Sequence, residues 1–180
     1  MDATPSSAQE QAPRPLSFGL GVGAVLPIGD LGDFAGLGFH VGGMVHYESP
    51  SFPLGLRGEL GFANLGGKTV NVGSQTFEGP DTRILSAVGN VMYAFRRADI
   101  PDEDERSFPF AIGGLGLYNF RFSDSDVPGS SASTTDFGIN VGGGLQFGLA
   151  GLKAFAEARY HHIFSDEPSN FIPLTFGLIF

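Results

Sequence analysis

Apolar side chains stand at Phe137, Ile139, Val141, Leu145, Phe147 and Leu149, with Gly138, Asn140, Gly142, Gly144, Gln146 and Gly148 in the opposite phase. A period of two sends successive side chains to opposite faces, so this segment is a strand with one oily and one small or polar face. The same alternation recurs in seven other segments. Phe18, Leu20, Val22, Ala24 and Leu26 lead the first, against Ser17, Gly19, Gly21 and Gly23; after a Gly- and Asp-rich loop over 28–37, Phe39, Val41, Val45 and Tyr47 oppose His40, Gly42, Met44 and His46. The third sets Leu54, Leu56, Leu60 and Phe62 against Gly55, Arg57, Glu59 and Gly61; the fourth sets Leu85, Ala87, Val91, Tyr93 and Phe95 against Ser86, Asn90 and Met92. In the fifth, Phe108, Phe110, Ile112, Tyr118 and Phe120 are assigned outward, leaving Gly113, Leu115, Leu117, Asn119 and Arg121 inward, the least clean of the set. The seventh has Ala154, Ala156, Ala158 and Tyr160 outward with Glu157, Arg159 and His161 inward, and the eighth ends the chain.

Eight such segments can close on one another in water or in lipid. No apolar run approaches the roughly 20 residues of a membrane-spanning helix, so a bilayer would be crossed by a closed barrel, in which every backbone donor and acceptor finds a partner. A soluble up-and-down barrel needs a hydrated outer face. Here charged residues are only 16%, lysine occurs just at Lys68 and Lys153, and the face opposite the apolar one is mostly glycine, which suits a narrow interior. The expected fold is therefore all-β: an eight-stranded antiparallel up-and-down transmembrane β-barrel over residues 16–180, behind a disordered tail at 1–15 that lacks the apolar core of an export signal.

Aromatic residues support lipid outside, since they gather at both ends of membrane-spanning strands. One girdle would hold Phe18, Tyr47, Tyr93, Phe95, Phe108, Phe110, Phe147 and Phe180; the other Phe39, Phe62, Tyr118, Phe120, Phe137 and Tyr160. Tryptophan is missing from both. A net charge of −9 disfavours nucleic acid, and the lack of cysteine excludes disulfides and thiolate metal sites.

With these strands in view, the chain resembles the small outer-membrane β-barrel superfamily, the OmpA/OmpX/OmpW-like barrel domains. FIPLTFGLIF carries Ile172, Leu174, Phe176, Leu178 and Phe180 in one phase back from the end, similar to that superfamily's assembly signal, and ARYHHIF looks like its penultimate strand. The resemblance implies an integral protein of a bacterial outer membrane, folded by the β-barrel assembly machinery, among membrane lipid and lipopolysaccharide, with a periplasmic amino terminus and no cofactor. It leaves activity open, since such barrels include structural, adhesive, transporting and enzymatic members. The lipid A deacylase motif is not met: two places after His161 and His162 stand Ile163 and Phe164, where that motif has serine.

Four charges are expected inside the barrel, Arg57 and Glu59 from the third strand and Glu157 and Arg159 from the seventh. Unpaired they would be prohibitively unfavourable, so they should form a network, either a structural plug or a gate. His40, His46, Asn90, Asn119, Arg121, Asn140, Gln146 and His161 should complete the polar interior. Glycine there serves close packing, or else leaves a slot lined by Met44, Leu115 and Leu117. Asp30, Asp33, Asp124 and Asp126 suit a solvated surface or cation bridges to lipopolysaccharide; Asp102 to Glu105, beside Arg96, Arg97 and Arg106, suit a hydrated turn or a periplasmic partner. The functional expectation is a non-enzymatic barrel with a structural or surface-interaction role and a largely filled lumen; the alternative is a narrow pore or carrier for ions or a small apolar solute.

Overall fold

A computed structural model describes residues 16–48, 54–72, 75–78, 81–95, 107–123, 131–165 and 167–180. The expected tail at 1–15, the acidic run Asp102 to Glu105 with its arginines, and Asp124 and Asp126 lie outside them. The chain runs β1 (Leu16–Ile28), α1 (Asp30–Phe34), β2 (Ala35–Glu48), β3 (Leu54–Gly67), β4 (Thr69–Val72), β5 (Gln75–Glu78), β6 (Asp81–Ala94), β7 (Phe108–Ser123), β8 (Ser131–Leu149), β9 (Leu152–Phe164) and β10 (Ser169–Ile179). Eight of these strands close into one antiparallel barrel, each beside its sequence neighbour; β4 and β5 form a separate hairpin between β3 and β6. The expected loop at 28–37 is thus shorter, with α1 between the longer β1 and β2.

Closure joins β1 to β10, and the last residue takes part. Phe18 N donates to Phe180 O at 3.0 Å and Phe180 N to Phe18 O at 2.8 Å, so no sheet edge is left at the seam. Leu16, Phe180 and the β2–β3, β6–β7 and β8–β9 connections share one end, here the terminal end; the remaining connections form the loop end. The β8–β9 turn is two residues, Ala150 and Gly151, both at positive φ (51° and 81°), the geometry whose twist matches a tight hairpin.

The faces follow the expected alternation in seven barrel strands. Leu20, Val22, Val41, Leu60, Leu85, Val141 and Phe176 are exposed, while Arg57, Asn90, Asn140, Glu157 and Thr175 are buried. Ala154 keeps its outward phase yet is covered, lying between Phe147 and Leu178 in register.

β7 has the reverse of its expected phase. Phe108, Phe110, Ile112, Tyr118 and Phe120 are buried in the interior, whereas Leu115 and Leu117 are 57% and 56% exposed. Pairing decides this. Gly114 lies opposite both Asn90 of β6 and Asn140 of β8, directly paired residues share a face, and both asparagines point in. Even-numbered positions of β7 must therefore face inward. Phe108, Phe110, Tyr118 and Phe120 leave the expected girdles, and Leu115 and Leu117 cannot line an interior slot. Arg121 moves to the exposed outer wall, and Asn119 goes with it; neither belongs to the interior polar set.

Candidate functional site

The interior is layered along the barrel axis. Toward the loop end, Val25, Leu31, Ala35, Ala63, Leu65, Ile84, Val88, Tyr118, Phe120, Ile163 and Phe171 form one buried apolar cluster. Toward the terminal end, Met92, Phe110, Ile112, Phe155 and Ile179 form a second, with Met44 packed against it. Polar side chains lie between these clusters.

At their centre the four expected charges make a closed ring. Arg57 Nε lies 2.6 Å from Glu59 Oε1, Arg159 Nη2 lies 2.7 Å from Glu59 Oε2, and Arg159 Nε lies 2.6 Å from Glu157 Oε1. Arg57 Nη2 donates to Glu157 Oε2 and completes the circuit. Two Arg-x-Glu pairings of opposite sense, 100 residues apart, produce it: each strand supplies one base and one acid on its inward face, so each side chain meets an opposite charge both along its strand and across the barrel. The ring sums to zero charge, which is what makes burial of four ions tolerable.

The second cluster also holds the ring. The Arg57 guanidinium carbon sits 6.0 Å from the centroid of Phe110 and 5.5 Å from that of Phe155, within cation–π range. Phe110 reaches this place only because β7 has its observed phase. The inward glycines make room for such rings. A Cβ on Gly177 would lie 2.3 Å from Phe155 ring carbons, one on Gly144 would lie 2.6 Å from Phe110 Cζ, and one on Gly138 would lie 2.9 Å from Tyr118 Cε2.

The other interior groups pair around the ring. Asn140 Nδ2 donates to Asn90 Oδ1 at 2.9 Å, and Thr175 Oγ1 lies 3.1 Å from His40 Nε2. Tyr118 OH and His161 Nδ1 are 2.8 Å apart, and the His161 ring stacks on Phe171 at 4.9 Å. His46 and Gln146 are buried toward the terminal end, His46 Nε2 lying 3.8 Å from Glu48 Oε1. A cavity of about 70 Å³ adjoins the ring, with His40, Glu59, Tyr118, Glu157, Arg159 and His161 among its walls. That is room for a few waters. His161 and His162 diverge: His162 Nδ1 sits 2.7 Å from Asn170 Oδ1. Among the described residues, no group of three or more His, Asp or Glu could hold a metal ion.

The aromatic partners of the ring are not marked by the alternation. Phe110, Tyr118 and Phe155 surround the polar layer, and the available signal was the run of glycines on β8 together with Gly177 of β10, whose missing side chains imply bulk arriving from elsewhere.

The chain matches a family model described as outer membrane protein beta-barrel domain over residues 3–180. Among solved structures it is similar to Neisserial surface protein A, at 16% identity, covering 92% of this chain and 96% of that one with a TM-score of 0.66. It is also similar to Ail, the attachment invasion locus protein of Yersinia pestis, at 18% identity, with 92% and 97% covered and a TM-score of 0.51. A major outer membrane protein from Thermus thermophilus aligns at 14% identity, with 93% and 99% covered and a TM-score of 0.54. No curated protein matches the sequence.

Proposed function

The chain belongs to the outer membrane β-barrel protein family and is an integral protein of a bacterial outer membrane; from that premise we propose that it is a non-enzymatic barrel with a structural or surface-interaction role and an occluded lumen. The supporting observation is the interior layering, an apolar cluster on each side of a charge ring that uses all four of its members. An open pore needs a continuous wet path, and an apolar cluster on each side of the ring weighs against one.

In this reading the terminal end is periplasmic, since the short connection Ala150–Gly151 and both barrel termini lie there, and small outer-membrane barrels keep short turns on that side. The loop end, with α1 and the β4–β5 hairpin, then faces outward as the surface for partners. Ile172, Leu174, Phe176, Leu178 and Phe180 share the lipid-facing phase of the closing strand and serve recognition by the assembly machinery.

Planar-bilayer recording tests the occlusion. Purified barrel should give no reproducible unitary current, and Arg159→Ala should leave the baseline flat because the two apolar clusters persist. Stable conductance steps that change size in Arg159→Ala would replace this reading with transport, for which the cavity beside the ring is the starting point.

A further inference from the structure

The phase of β7 places a basic feature on the outer wall, apart from the buried ring. Arg121 of β7 lies directly opposite Arg83 of β6, and both are exposed. Among the described residues these are the exposed arginines, the other two being buried in the ring. Like charges facing each other across antiparallel strands repel at short range and destabilise the pair. Neither arginine has an ion pair or hydrogen bond among the described residues. Asp81, two residues before Arg83 on the same face, instead accepts from the Gly67 N–H at 3.2 Å.

Their height on the wall is specific. Toward the terminal end the next outward positions of β3 and β6 are apolar, Phe62 paired with Leu85, and on β7 the wall becomes apolar at Leu117, one step beyond Asn119. At the level of the arginines the wall turns polar over four strands, Asn64 beside Arg83 and Ser133 beside Arg121. Asn119, just below, donates to Thr135 Oγ1 at 2.8 Å and to Thr134 O at 3.2 Å, which fixes a hydroxyl-bearing ledge next to Arg121. This is the border between hydrocarbon and headgroups, where an outward arginine is tolerated, unlike at mid-bilayer.

We propose that Arg83 and Arg121 together form a site for a phosphate group of the glycolipid that makes up the outer leaflet. Two guanidinium groups on adjacent strands present forked donors to one tetrahedral anion, and the anion removes the repulsion that the bare pair carries. The acyl chains of the same lipid lie along the apolar wall beneath, so a phosphorylated lipid matches both halves of the surface, whereas a free anion matches only the upper half. The assignment to the outer leaflet rests on the orientation proposed above, with the loop end outward.

The test uses folded barrel in detergent micelles, with bound lipid read by native mass spectrometry. Wild type should retain bisphosphorylated lipid A at least about tenfold more tightly than the same lipid after dephosphorylation. The double variant Arg83→Gln with Arg121→Gln should lose that preference, while Arg83→Lys with Arg121→Lys keeps most of it. Unchanged heat-modifiable mobility on gels establishes that the variants are folded. Equal retention by wild type and the glutamine variant overturns the proposal. So does saturable capture of inorganic phosphate without lipid, which would mark a free-anion site, or displacement of the lipid by a soluble sulfated saccharide at lower concentration, which would mark a polysaccharide site. Orientation is read separately, by labelling Ser133→Cys on intact cells with an impermeant maleimide. Labelling only after permeabilisation would overturn the orientation and the outer-leaflet assignment while leaving micelle binding intact; loss of binding with normal labelling would overturn the site alone.

Discussion

Glu157 touches two arginines from two strands, so its removal leaves both with half their neutralisation in a buried layer. We expect Glu157→Gln to destabilise the barrel by about 3 kcal/mol, because breaking one member of a buried ionic network strands the others. The measurement is denaturant unfolding in micelles. Replacing Arg57 by Met in the same chain should recover part of that loss, since the uncompensated cation goes with it; strictly additive losses would mean that the two residues do not share a network. Tyr118→Phe removes only the hydroxyl that meets His161 and should cost about 1 kcal/mol. The ring itself was legible in the sequence, because charges in a glycine-rich inward phase have nowhere to go but toward each other. Its aromatic setting was not, since nothing local tells a ring destined for the interior from one destined for lipid.

At the scale of the element, β7 is where alternation fails as a guide. Both of its faces are apolar, Phe110 and Tyr118 on one and Leu115 and Leu117 on the other, so period two exists without stating which phase meets the membrane. The choice belongs to the pairing with β6 and β8. Site-directed spin labels give a direct check: a label at Leu117→Cys should be relaxed strongly by oxygen dissolved in the bilayer, and one at Ile112→Cys should be shielded. The reverse pattern would restore the other phase. The β8–β9 turn offers a second prediction, because Ala150 holds a left-handed backbone at φ 51°, which disfavours a Cβ. Ala150→Gly should raise stability by up to about 1 kcal/mol in the same unfolding assay, as only glycine takes that conformation freely.

For the whole molecule, closure is the organising fact. Phe180 seals the seam through both of its backbone hydrogen bonds to Phe18 while its side chain stays exposed on the outer wall. Deleting it should slow assembly in cells more than refolding in micelles, where only the seam bonds are lost; equal effects would assign the residue to packing alone. Folded barrel should migrate anomalously on SDS gels until boiled, as expected when no sheet edge is open to the detergent. The number of barrel strands, the outward face of seven of them and the inward position of the four charges are legible in the sequence alone, whereas the β4–β5 hairpin is not. The legible properties are local, because a period of two and a charge within it can be read without knowing the neighbour. The phase of β7, the partners of the inward glycines and the place of Arg121 are set by strand pairing in the folded barrel. Each of these depends on which residue stands across the gap, and register between strands is set by the closed barrel as a whole.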